Sequence, residues 1–317
     1  NGKQQVRVDI EVLKKKLKNG IPVKVPLTKA EKNSITVVAY SSNLKRRTMP
    51  QAWFVDRRRN NFSMGTYSGG AMLRRAPAAA SFQPDLLARC APPNKAGLKA
   101  NNPNNVPDVF HRFIRSSRIS TVKLMARMVL ADGTVLATTM ETGKYNFTSS
   151  VTLNAIAPPS IPVSQLVSVT EIKQDQEYDS FNPDKHQTLT AHYWSLPAGL
   201  RAESITRDAE YFYNLGFDDG NAENRILTRG RAFLPGTTSA NARDNMGGGC
   251  VESCDYTMNV ASNQWAVSVL KVTGCSWTSP MAGGTVTFTI TDQYGNTHRY
   301  SAQPSGNYGD TVSLTAA

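Results

Sequence analysis

Between Ser120 and Tyr145 the chain reads STVKLMARMVLADGTVLATTMETGKY, and no other stretch constrains the fold as strongly. Val122, Leu124, Ala126, Met128 and Leu130 alternate with Lys123 and Arg127, the two-residue period of a half-buried strand. Asp132-Gly133 follows, and tolerance of positive φ there suits the tight turn of a hairpin. Thr134–Met140 then returns with the β-branched Thr134, Val135, Thr138 and Thr139, which sit well on a pleated surface. An isolated hairpin is marginal in water, so the rest of the chain has to supply partner strands.

It does so repeatedly. Gln5–Leu13 places Val6, Val8, Ile10 and Val12 on one face and Arg7, Asp9 and Glu11 on the other. Asn19-Gly20 is a turn, and Pro22 and Pro26 confine the segment after it to a sheet edge, because proline cannot donate to a ladder. Ser34–Tyr40, Leu166–Ile172, Leu189–Leu196, Gln264–Thr273, Thr285–Thr291, Thr297–Gln303 and Asp310–Ala317 read as further strands. Thr28 and Glu31 stand at the spacing of a capping box, enough to start one helical turn. Two longer helices are expected. One covers Asp108–Arg118, where Arg112, Arg115 and Arg118 would share a face; the other covers Ala202–Leu215, from Ile205, Ala209, Phe212 and Leu215. The expected class is therefore mostly β, two or three β-sandwich, immunoglobulin-like modules with a few short helices. The prolines of APPSIP at 157–162 mark a boundary between a first domain, 1–157, and a second, 163–317. Within the first, residues 76–107 form a long Pro- and Asn-rich connection of the kind that is functional or a linker.

Charge divides the chain more sharply than its prolines do. Residues 1–130 hold 25 Lys and Arg against 6 Asp and Glu, whereas residues 131–317 hold 11 against 18, within a net charge of +12. A field so one-sided suits an anionic partner: an acidic glycan, nucleic acid or an acidic protein surface. The arginines that best meet such a partner are Arg46, Arg47, Arg57, Arg58, Arg59, Arg74 and Arg75, since guanidinium pairs with phosphate or carboxylate through two parallel hydrogen bonds. Trp53-Phe54-Val55 lies between two of these clusters. Aromatics so placed can stack on a ligand, but a strand core is the favoured role for Trp53 and Val55. No apolar run approaches the ~18 residues of a spanning helix.

Four cysteines, Cys90, Cys250, Cys254 and Cys275, allow two disulfides in three connectivities. The last three with His298 also have the ligand types of a zinc site, but their spacing fits disulfides better, and neither metal nor cofactor is expected. Asp218, Asp219, Asn221 and Glu223 are oxygen ligands without the order of a calcium loop, so they read as an acidic turn. No P-loop, dinucleotide fingerprint or H-E-x-x-H occurs, and nothing groups the four histidines with a nucleophile. A non-enzymatic protein is expected.

The C-terminal GGTVTFTITDQYGNTHRYSA, residues 283–302, resembles the strand–turn–strand of bacterial immunoglobulin-like domains found in invasin- and intimin-type surface proteins. It departs from them in the cysteines nearby. The resemblance implies a surface-displayed adhesive module with no catalytic residues. The functional expectation is thus a secreted or surface-exposed recognition protein whose basic half binds an anionic partner. A virion structural protein, with that half facing nucleic acid or an acidic neighbouring subunit in a homo-oligomer or larger assembly, is the alternative. A secreted toxin acting on membranes through the hairpin at 121–140 is a third.

Overall fold

The computed structural model describes residues 2–43, 48–64, 106–139, 141–142, 145–146, 149–177, 185–217, 226–242, 254–274 and 283–317. It is mostly β, and the chain divides into two compact units, Asn1–Pro158 and Pro159–Ala317.

The first unit runs β1 (Val6–Val12), β2 (Lys15–Lys18), β3 (Ile21–Lys24), α1 (Lys29–Ser34), β4 (Thr36–Ala39) and β5 (Trp53–Asp56). It continues with β6 (Asp108–Ser116), β7 (Ser120–Val129), β8 (Val135–Ala137), β9 (Glu141–Thr142), β10 (Tyr145–Asn146) and β11 (Val151–Ala155). One sheet has the order β1-β6-β5; another has the order β11-β7-β4, with β8 also on β7. Both give side chains to one core. Ile10, Trp53 and Ile114 come from the first sheet, Val37, Val122, Leu124 and Met128 from the second. The Trp53 indole is therefore core, its Nε1 donating to Ser120 Oγ at 2.9 Å.

The hairpin that opened the sequence argument is β7–β8, with Gly133 at φ 85 in its turn. Alternation understated its burial. Met125, on the face opposite Leu124, is enclosed by Val38 and Ala137, and Arg127 is buried as well, so both faces of β7 are covered. Around α1 the capping box is complete: Thr28 Oγ1 accepts from Glu31 N at 3.2 Å, and Glu31 Oε2 accepts from Thr28 N at 2.8 Å.

No helix forms over 108–118. The segment is β6, held on one side by β1 and on the other by β5. Two ladders outweigh the single face that a three-residue arginine spacing suggested. In a strand that face dissolves: Arg112 turns toward the core side with Phe110 and Ile114, Arg115 turns outward, and Arg118 lies in the following turn.

The second unit contains a 3-10 turn at Val163–Gln165, then β12 (Val167–Glu177), β13 (His186–Ser195), β14 (Ala202–Arg207), β15 (Tyr211–Phe217) and β16 (Ile226–Phe233). After these come β17 (Gly236–Asn241), β18 (Asp255–Val260), β19 (Gln264–Thr273), β20 (Val286–Asp292), β21 (Thr297–Ser305) and β22 (Thr311–Ala316). A five-stranded sheet, β12-β13-β19-β16-β15, packs Trp265 against Phe288 and Tyr300 of a four-stranded sheet, β14-β20-β21-β22. Its other face meets the β17–β18 hairpin, through Ala191, Tyr193 and Ala266 against Met258 and Val260.

Here the second expected helix fails too, since Ala202–Leu215 is β14, a short bend and β15. Asp208 in the bend bonds Thr287 through both its amide and its carboxylate, which ties the segment to β20. The apolar spacing there was coincidence. Ile205, Thr206, Tyr211, Phe212 and Tyr213 are β-branched or aromatic and favour a pleated surface.

Candidate anion-binding site

At the end of β5 the chain leaves the sheet as Arg57-Arg58-Arg59-Asn60, and all three arginine side chains are exposed. With Gln5, Asp56, Asn60 and Arg115 they line a shallow groove of about 440 Å³, widely open to solvent.

Gln5 builds it. Its buried side chain donates to Asp56 Oδ2 at 2.9 Å and accepts from Asn60 N at 2.8 Å, bracketing the arginine run at both ends. Asn60 Nδ2 adds a bond to Lys3 O at 2.5 Å. The backbone under the arginines is thereby fixed while their heads stay in water.

The charges in the groove do not cancel. Asp56 is the acid among the lining residues, and its Oδ2 also accepts from Arg115 Nε at 2.9 Å. Arg115 lies 4.3 Å from the centroid of the Phe54 ring, a cation–π contact that orients its guanidinium. Arg57 Nη2 donates to Asn33 O at 2.7 Å, which fixes the side chain and leaves its charge unneutralised. Gln5 Nε2 also donates to Arg58 O at 3.4 Å, but the Arg58 and Arg59 side chains have no hydrogen bond or ion pair among the described residues. Arg112 senses the excess: burial lowers its pKa, and the positive charge of Arg57 lowers it further.

Three exposed cations on a pinned loop, beside a fourth placed over an aromatic ring, can bind anionic oxygens by charge and by forked hydrogen bonds. Of the arginines expected from sequence, Arg57, Arg58 and Arg59 share this groove; Arg46, Arg47, Arg74 and Arg75 lie outside the described residues. Sequence reasoning missed Gln5, Asp56 and Asn60 and put Arg115 on a helix. Gln5 is 51 residues from Asp56, and nothing local announces that pairing.

Cys254 carries a free, half-buried thiol, its pKa raised by burial and by the neighbouring Asp255, so the expected disulfide at this position is absent. Cys90, Cys250 and Cys275 lie outside the described residues, as does the acidic turn at Asp218–Glu223. His298 is engaged elsewhere, with its Nε2 3.0 Å from Asp292 Oδ2. Among the described residues no group of three or more His, Cys, Asp or Glu could hold a metal ion, and no helix is long and apolar enough to cross a membrane. Comparison of the chain with family models, curated proteins and solved structures finds no match.

Proposed function

We propose that this chain is a non-enzymatic recognition protein, secreted or displayed at a surface, built of immunoglobulin-like β-sandwich modules. Its basic first unit binds a polyanion through the groove of Arg57, Arg58, Arg59 and Arg115. One observation carries the reading: four guanidiniums line a groove in which Asp56, the one carboxylate among the described lining residues, is already committed to Arg115 and Gln5. Unbalanced positive charge on a pre-ordered backbone is what an anion-binding site needs. A structural ion-pair network would have balanced it.

The test is binding of the full chain to heparin and to a DNA oligonucleotide across a salt series, beside an Arg57→Glu/Arg58→Glu/Arg59→Glu variant. Steep loss of affinity with salt, with both affinity and slope reduced in the variant, supports the groove. Preference between the two ligands then separates glycan adhesion from nucleic-acid packaging. Equal binding by the variant, or none by the wild type at low salt, rejects the site. The virion alternative would then be taken up through the assembly state of the chain.

A further inference from the structure

The groove occupies one end of the β1–β6 ladder, where Gln5 precedes β1 and Arg115 lies near the close of β6. At the other end, where Val12 pairs with Asp108, the chain leaves the sheet as β2 and β3. A strand rise of roughly 3.3 Å per residue puts the two ends about 20 Å apart. Among the described residues β2 and β3 pair only with each other, joined by Asn19 and Gly20 at φ 52 and 79, the left-handed pair of a tight hairpin turn.

Register decides what each face of this ribbon carries. Lys16 stands opposite Val23 and Lys18 opposite Ile21; Lys15 stands opposite Lys24 and Leu17 opposite Pro22. Each face therefore joins two lysines to two apolar residues. Leu17 is 69% exposed and Ile21 66%, on opposite faces beside the turn. The base is fastened: Lys14 Nζ bonds Glu31 at 2.8 Å, Lys24 Nζ bonds Asp108 at 2.9 Å, and Val25 N bonds Lys14 O at 3.0 Å. Toward the tip, the ammonium groups of Lys16 and Lys18 have no hydrogen bond or ion pair among the described residues.

A single exposed leucine needs no explanation. Two aliphatic side chains on opposite faces of one firmly based, cationic tip do, because a flat partner surface could cover only one of them. The medium that takes up both is one that surrounds the tip. In the interfacial region of a bilayer, aliphatic side chains enter the acyl boundary while lysine stems lie along it and keep their ammonium groups among the lipid phosphates. The ribbon carries lysines and no arginine, whereas reading of a DNA groove leans on guanidinium and amide groups, of which it has only Asn19.

We propose that the β2–β3 ribbon is an interfacial anchor for membranes bearing anionic phospholipid. It rests on the ribbon alone and stands whether or not the arginine groove binds a polyanion. The experiment sediments the full chain with phosphatidylcholine vesicles, with and without phosphatidylserine, beside a Leu17→Ser/Ile21→Ser variant of unchanged charge. Wild type is expected to bind only the serine-lipid vesicles, and the variant to bind them about tenfold more weakly or worse. The same variant should keep its wild-type melting profile and any heparin affinity, since neither residue is buried or near the groove. A Leu17→Trp chain should also gain fluorescence that acyl-chain bromine labels quench. Absence of wild-type binding, equal binding by the variant, or loss of duplex DNA affinity in place of vesicle affinity would each overturn the assignment.

Discussion

Glu31 has a side chain 1% exposed, yet it stays ionised far below the usual carboxylate range. The Lys14 ammonium does most to hold its pKa at about 2, helped by the Thr28 amide and hydroxyl, against an ordinary value of 4.5. A depressed folded-state pKa means this contribution to stability is complete above the unfolded value and is lost as pH falls toward 2. Denaturant unfolding at a series of pH values checks it. Wild type should weaken between pH 4.5 and 2, while Glu31→Gln should be weaker at neutral pH and flatter across that window. Asp292 follows the same logic in the second unit. Burial pushes its pKa up, but hydrogen bonds from His298, Asn296 and the Tyr294 amide outweigh that and hold it below the ordinary value. Asp292→Asn keeps the size of the side chain, removes the charge that four donors share, and should cost about 2 kcal/mol or more at neutral pH. At residue scale the legible features were the local ones: Thr28 and Glu31 sit three apart and announce their box. The Asp292–His298 pair was hidden for a physical reason. Asp292 closes β20 and His298 stands near the start of β21, on either side of an ordinary turn, and only the pairing of the two strands buries them side by side.

Strands were readable wherever one face stays wet and the two-residue period survives, as in β1 and β20. In β6 the consecutive buried run Arg112-Phe113-Ile114 breaks that period, and the segment was mistaken for a helix. β12 is the reverse case, a long strand with little burial. Val167, Val169 and Ile172 are all exposed, and a register shift between Ile172 and Gln174 breaks the regularity of this edge. Such a bulge discourages another strand from adding there. Stability in the second unit therefore concentrates away from β12, at the stack of Trp265 on Tyr300, whose ring centroids are 5.6 Å apart. Trp265→Ala should cost about 3–5 kcal/mol in denaturant unfolding. Ile172→Ala should change stability by less than about 0.5 kcal/mol, as exposed positions do. Equal costs for the two would mean that β12 is covered by something and not an open edge.

At the scale of the whole molecule, charge was the most legible property, and the one least able to name a partner. The basic excess over residues 1–130 was countable at once, but not which cations converge. That depended on Gln5 reaching Asp56 and Asn60 from a distant part of the chain. Two kinds of basic feature result, an arginine groove that is polar throughout and a lysine ribbon with aliphatic tips, and they respond differently to salt. A polyanion held in the groove releases counterions for each cation engaged, so on duplex DNA the slope of log K against log salt should change by about 0.9 per contact removed. Arg57→Ala/Arg58→Ala/Arg59→Ala should thus flatten the slope by about 2–3 and leave thermal stability nearly unchanged, because these side chains are exposed and Arg57 alone loses a hydrogen bond. Titrations at several salt concentrations, paired with a melt of the same variant, read both quantities. A large fall in melting temperature with an unchanged slope would make the arginines structural. The surplus charge of the groove would then act in holding α1 to β5 through Arg57 and Asn33, and not in recognition.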